Sequence, residues 1–117
     1  MAEEKELTAA LNLELRRGTL VLSVLSQMAE PAYGYALVQR LTSWGVSIDP
    51  NTLYPLLRRL EGQGLLESRW ETGGSKPRKY YQRTPMGTRV YQELREDWRN
   101  LTASMAAMLG EEEQHDS

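Results

Sequence analysis

Six apolar residues near the end of the chain, Val90, Leu94, Trp98, Leu101, Met105 and Met108, stand four, four, three, four and three positions apart. That spacing returns to one face of a helix every two turns and makes a continuous seam. Thr84-Pro85 supplies a capping side chain and a first-turn proline, so a helix of about 25 residues is predicted from there. At roughly 1.5 Å per residue it outruns a domain built from 117 residues. A helix from a second copy is the simplest cover, and Val90, Leu94, Trp98, Leu101 and Met105 are the expected dimer interface. A small domain buries only about 60 to 70 % of its unfolded surface, so pairing has much to add.

Upstream, apolar residues recur at helical spacing over residues 12–28, at Leu13, Leu20, Val21, Val24, Leu25 and Met28. Pro31 closes that run, because it lacks a donor and disfavours helix at Glu30. A second helix is predicted over 33–43 with Leu37, Val38 and Leu41 on one side, and Gly45 ends it. Asp49-Pro50-Asn51-Thr52 begins a third, which runs to about Gln63. Its Leu53, Leu56, Leu57 and Leu60 point inward and leave Thr52, Pro55, Arg58 and Arg59 towards solvent. Because Pro55 has no N–H, a start at Asn51 or Thr52 is favoured over one at Pro50.

Residues 65–71 and 78–84 carry Trp70, Tyr80 and Tyr81, which suit strands, and Thr-Gly-Gly-Ser-Lys-Pro joins them as a β-hairpin. Gly73 and Gly74 are expected to supply the positive φ angles of its turn. Tyr80 and Tyr81 must face opposite ways, so at least one enters the core. Trp44 and Trp70 are assigned to structure. The chain thus divides into a flexible segment 1–11, a mainly α (α+β) unit over 12–84, a C-terminal helix over 85–110 and a disordered acidic tail, 111–117.

The formal net charge of −2 hides an uneven distribution. Acids crowd both ends, whereas Pro50 to Tyr91 holds eight basic residues against three acidic ones, a local net of +5. A field of that sign can meet a polyanion. No enzyme is indicated: there is no cysteine, and His115 sits in the acidic tail with no partner at catalytic or metal spacing. Gly73-Gly74 lacks the Lys-Ser/Thr of a phosphate loop, and nothing calls for a cofactor or metal. No apolar run approaches the roughly 18 residues of a membrane span, and a soluble cytoplasmic protein is expected.

Two helices joined by a short turn, the second basic on its free side, then a basic hairpin, make a winged helix-turn-helix with a long C-terminal dimerisation helix. The third helix can enter a major groove about 12 Å wide while the hairpin reaches the neighbouring backbone. Candidate contacts to double-stranded DNA are Asn51, Thr52, Tyr54, Arg58 and Arg59 on that helix and Lys76, Arg78 and Lys79 on the wing. Plainer readings stand beside these. Arg58 can pair with Glu61, the hairpin cations can blunt an edge strand, and Tyr54 can be a phosphate contact or a core edge. Gly34 permits a close approach by either DNA or another helix. A winged helix can also serve protein contact without specific DNA binding.

The blocks ELRRGTLVLSVL, YGYALVQRL, NTLYPLLRRLEGQGLLES, PRKYYQRTPMG and ELREDWRNL together resemble the short subfamily of PadR transcription regulators. The resemblance runs from about Asn12 to Leu109, and it is most specific in NTLYPLLRRLEGQGL followed by RKYYQRTPMG. It implies a homodimeric winged-helix repressor on an inverted-repeat operator, with the last helix exchanging contacts between subunits. In the multidrug-binding members a tryptophan of that helix stacks on planar aromatic ligands, and Trp98 in EDWR occupies the matching place. Simple packing on the seam is the other reading of Trp98.

Overall fold

The computed structural model describes residues 1–110, so the acidic tail lies outside the described residues. The order is α1 (Ala2–Arg17), α2 (Leu20–Ser26), β1 (Ala32–Tyr33), α3 (Gly34–Ser43), α4 (Pro50–Gly62), β2 (Leu66–Glu71), β3 (Arg78–Arg83) and α5 (Pro85–Leu109). This is a mainly helical winged-helix fold with a small antiparallel sheet in the order β1-β3-β2.

The N-terminal segment read from the sequence as flexible through residue 11 belongs to the helix α1. Ala, Glu, Leu and Lys dominate it, and all are good helix formers. Glu3 and Glu4 lie in its first turn and Arg16 and Arg17 in its last, the polarity that the helix dipole favours. Core-facing periodicity cannot reveal α1, because none of its residues is buried. The single helix expected over 12–28 is two helices. Thr19 donates both its backbone N–H and its hydroxyl to the Arg16 carbonyl, at 3.0 and 2.8 Å, which tightens the chain at Gly18-Thr19.

Two other boundaries differ. Helix α4 begins at Pro50, because the Asp49 carboxylate accepts from the Asn51 N–H at 2.8 Å and proline is tolerated at the first helical position. Strand β1, only two residues long, pairs Ala32 with Tyr81 and Tyr33 with Tyr80, and is too short to show alternation in a sequence. The hairpin turn is a loop of six residues, 72–77, and neither Gly73 nor Gly74 takes a positive φ. A connection that long reverses the chain without the tight two-residue turn that demands one.

The core joins Val24, Leu25 and Met28 of the α2 region to Leu37 and Leu41 of α3, Leu53, Leu57 and Leu60 of α4, Leu66 of β2 and Tyr81 of β3. Tyr81 is the buried member of its pair, whereas Tyr80 lies on the outer face against Tyr33, edge to face at 5.8 Å. Arg83 ties the sheet to α2 by donating to the Leu25 carbonyl at 2.9 Å, with its guanidinium 4.4 Å from the Tyr91 ring centroid. The Thr84 hydroxyl accepts from the Gly87 N–H at 2.9 Å and donates to the Gly64 carbonyl at 2.6 Å, capping α5 and anchoring it to the turn after α4.

Candidate nucleic-acid interface

Helix α4 buries Leu53, Leu57 and Leu60, and turning about 100° per residue from there leaves an exposed arc. Across that arc stand Tyr54, Arg58, Asn51, Pro55, Arg59 and Thr52 in turn, none of them acidic. The five contacts expected on this helix therefore share one solvent face. The arc has two shoulders. Tyr54 and Arg58, four residues apart, look towards the wing, whereas Thr52 and Arg59 border a groove shared with Arg17, Leu20 and Val21.

On the wing the register places Leu66, Ser68 and Trp70 opposite Arg83, Tyr81 and Lys79 on the face that meets α4. Glu67, Arg69 and Glu71 pair with Gln82, Tyr80 and Arg78 on the outer face. The three wing cations consequently differ in setting. Lys76 is exposed at the tip. Arg78 stands opposite Glu71, its guanidinium 5.4 Å from the Tyr33 ring centroid. Lys79 is half-buried against α4, with its ammonium 3.7 Å from Glu61 and 5.3 Å from the Tyr81 ring.

Between α3, α4 and the wing lies a cleft of about 600 Å³. Tyr33, Tyr35, Tyr54, Trp70 and Tyr81 wall it, Arg58, Arg78 and Lys79 bring three cations to it, and no carboxylate lines it. Trp70, assigned to structure from the sequence, is 62 % exposed at its edge, and Trp44 at the end of α3 is 74 % exposed. Both depart from the expected structural role for one reason. Each lies beyond the last buried residue of its element, and an aromatic residue type does not reveal this. The Tyr33 hydroxyl donates to the Glu71 carboxylate, and that bond, with desolvation second, holds the phenol above its ordinary pKa.

Sequence reasoning missed Tyr35, Arg69 and Glu61. Tyr35 is exposed on the first turn of α3, and Arg69 is exposed on the outer face of β2. Glu61 joins α4 to both wing strands, accepting from the Ser68 hydroxyl with one oxygen while Lys79 approaches the other. The basic residue in β2 was legible as charge, but the Glu61 link spans strand register and had no local signal.

The seam of α5 splits in two. Leu94 and Tyr91 pack on the chain's own core, while Trp98, Leu101, Met105 and Met108 are exposed. Val90 is half-buried. Trp98, 41 % exposed, borders a groove of about 380 Å³ with Gly18, Val21, Leu22, Leu94, Asp97 and Leu101. Among the described residues no group of acids and histidines could hold a metal ion, and no helix is long and apolar enough to cross a membrane.

Residues 21–93 match the profile of the Transcriptional regulator PadR-like family. The chain is 36 % identical over 98 residues to Transcriptional regulator Rv3488 of Mycobacterium tuberculosis, covering 83 % of this chain and 89 % of that protein. Its fold superposes with a TM-score of 0.87 on the crystal structure of a PadR family transcriptional regulator from Eggerthella lenta, at 53 % identity and over 93 % of this chain and 97 % of that one. Bacillus subtilis PadR, crystallised in complex with operator DNA, shares the fold at a TM-score of 0.60 and 21 % identity, over 65 % of this chain and 45 % of that one. With the matched region running from α2 through the wing into α5, the chain belongs to the PadR-like family, whose members are transcriptional regulators and not enzymes.

Proposed function

We propose that the chain is a dimeric, sequence-specific repressor of transcription, acting in the cytoplasm on an inverted-repeat operator. The observation that carries this is the acid-free exposed arc of α4 beside a cleft that brings three cations and no carboxylate. In a chain of net charge −2, that arrangement is a local field suited to phosphate. Helix α4 is the recognition helix, with Asn51, Thr52, Arg58 and Arg59 reaching base edges or flanking phosphates, and Lys76 extends the grip from the wing tip. That a solved relative carries operator DNA supports the same reading.

The dimer reading rests on two unpartnered apolar faces. Helix α1 buries nothing and exposes Leu7, Leu11, Leu13 and Leu15, and α5 exposes Trp98, Leu101, Met105, Met108 and Leu109. An isolated helix of 16 residues is marginal in water, so α1 gains its stability from packing on a second copy. Two recognition helices related by a two-fold axis would meet half-sites about one helical turn apart.

Binding of the purified chain to a labelled fragment of its own upstream region, followed by fluorescence anisotropy across a salt series, tests the reading. Affinity should fall by about 0.9 log units per log unit of salt for each phosphate neutralised. Salt-insensitive binding, or none to that fragment, would overturn it.

The groove beside Trp98 favours a second function for the same protein, release from DNA by a planar aromatic effector. Saturable quenching of tryptophan emission by a planar aromatic cation, lost in Trp98→Ala, supports it. Quenching unchanged in that variant assigns the signal to Trp44 or Trp70 and removes the role of Trp98.

A further inference from the structure

We infer that the cleft between α3, α4 and the wing seats one backbone phosphate of the bound DNA, held by Tyr54 and Arg58, and that Gly34 is the positioning residue that makes room for Tyr54. The inference rests on the DNA-binding reading and goes beyond it by naming the group that occupies this cleft.

Tyr54 and Arg58 lie one turn apart on the shoulder of α4 that faces the wing, so a phenol and a guanidinium converge on the same space. Lys79 adds positive charge from the opposite wall, while its partner Glu61 lies outside the cleft lining. Phosphate oxygens accept hydrogen bonds only, and the cleft offers donors without a competing carboxylate. Tyr54 remains 37 % exposed, and no described residue engages its hydroxyl, whereas the Tyr33 hydroxyl is spent on Glu71. A core-edge tyrosine would satisfy its oxygen within the protein.

Gly34 decides where the phenol lies. Its φ is not positive, so the backbone conformation does not require glycine there. Space does: a Cβ on residue 34 would stand 2.9 Å from both Cζ and the hydroxyl oxygen of Tyr54. Real Cβ contacts are longer than that, so any side chain at 34 pushes the ring away from α3 and moves the hydroxyl. The close approach legible in Tyr33-Gly34-Tyr35 is therefore made by a side chain of α4.

The test uses duplexes spanning the chain's own footprint, each with one neutral methylphosphonate linkage, scanned across a half-site and read by anisotropy at constant salt. Tyr54→Phe should bind native duplex roughly tenfold more weakly, the scale of one hydrogen bond to a charged group. At one linkage per half-site the methylphosphonate should cost a similar factor, and there Tyr54→Phe should add less than about twofold. Gly34→Ala should reproduce the loss of Tyr54→Phe and have no further effect in a Tyr54→Ala background. Losses that multiply at every linkage, or an equal Gly34→Ala loss with and without the Tyr54 ring, overturn the inference. If Gly34→Ala melts early, the Tyr54→Phe cycle alone decides. Inorganic phosphate displacing DNA better than chloride of equal ionic strength, but with no linkage sensitive to Tyr54, would assign the cleft to the free anion and also overturn it. Absence of binding to native duplex is a separate result, against the DNA-binding reading itself.

Discussion

Glu61 near the end of α4 and Lys79 in the wing strand β3 are 3.7 Å apart, and the same carboxylate accepts from Ser68 of β2. One side chain therefore spans α4 and both strands of the wing. As a half-buried pair still open to solvent, the contact is worth little stability.

That geometry leads to an expectation whose sign separates it from simple charge. Glu61→Gln makes the proposed DNA-facing region one unit more positive, so electrostatics alone would tighten all binding. If Glu61 aligns helix and wing, specific binding should instead weaken roughly three- to tenfold, on the scale of about 1 kcal/mol, with non-specific binding unchanged or tighter. Anisotropy on the footprinted duplex and on a scrambled one measures both. Tighter binding to the two alike would reduce Glu61 to a surface charge.

Gly87 in the first turn of α5 is buried, and a Cβ there would fall onto the Leu65 carbonyl, 2.9 Å from its carbon. The obstacle is backbone, which cannot rotate aside. Gly87→Ala should therefore destabilise by about 1 to 3 kcal/mol, the cost of overpacking. Thr84→Ala should lose about 1 kcal/mol through the α5 cap alone. Urea denaturation, with the midpoint and slope compared with wild type, is the check.

The exposed leucines of α1 and the exposed half of the α5 seam serve the proposed dimer. Leu101→Glu with Met105→Glu should convert it to monomer at micromolar concentration, with DNA affinity reduced at least tenfold because two half-sites no longer act together. Leu7→Gln with Leu11→Gln should weaken the dimer to a smaller degree and lower helix content as α1 loses its cover. Sedimentation velocity with circular dichroism reads both. A wild-type chain that sediments as a monomer would refute the assembly outright.

The link between β1 and the wing should depend on alkaline pH. Because the Tyr33 phenol is raised above its ordinary value of about 10, its proton is held more tightly in the folded chain. Its contribution is complete below that ordinary value and is lost as pH rises through the raised folded value, where a phenolate would face the Glu71 carboxylate. Tyrosinate absorbance should show one late-titrating tyrosine missing from Tyr33→Phe and shifted earlier in Glu71→Gln. Identical titration in all three proteins would remove the link.

Much of this fold is legible locally. The leucines of α4, the Asp49 and Thr84 caps, Gly45 with its φ of 84° and the α5 seam all act through neighbours within a few residues. Their meaning survives without a tertiary structure. The net positive stretch from α4 through the wing is equally a property of sequence order. Other features are not local. Arg78 and Lys79 are adjacent and alike in charge, yet pairing with β2 sends one to the outer face and the other against Glu61. Trp70 reads as a strand aromatic in either setting, and only the register puts it at the rim of the cleft. The sequence thus determined most of the elements, their order and the sign of the candidate interface, because capping, periodicity and charge are short-range. The tertiary structure alone decided which donors share a cleft and why residue 34 has no side chain. Those follow from contacts such as Gly34 with Tyr54, made between residues that only the packing of α3 on α4 brings together.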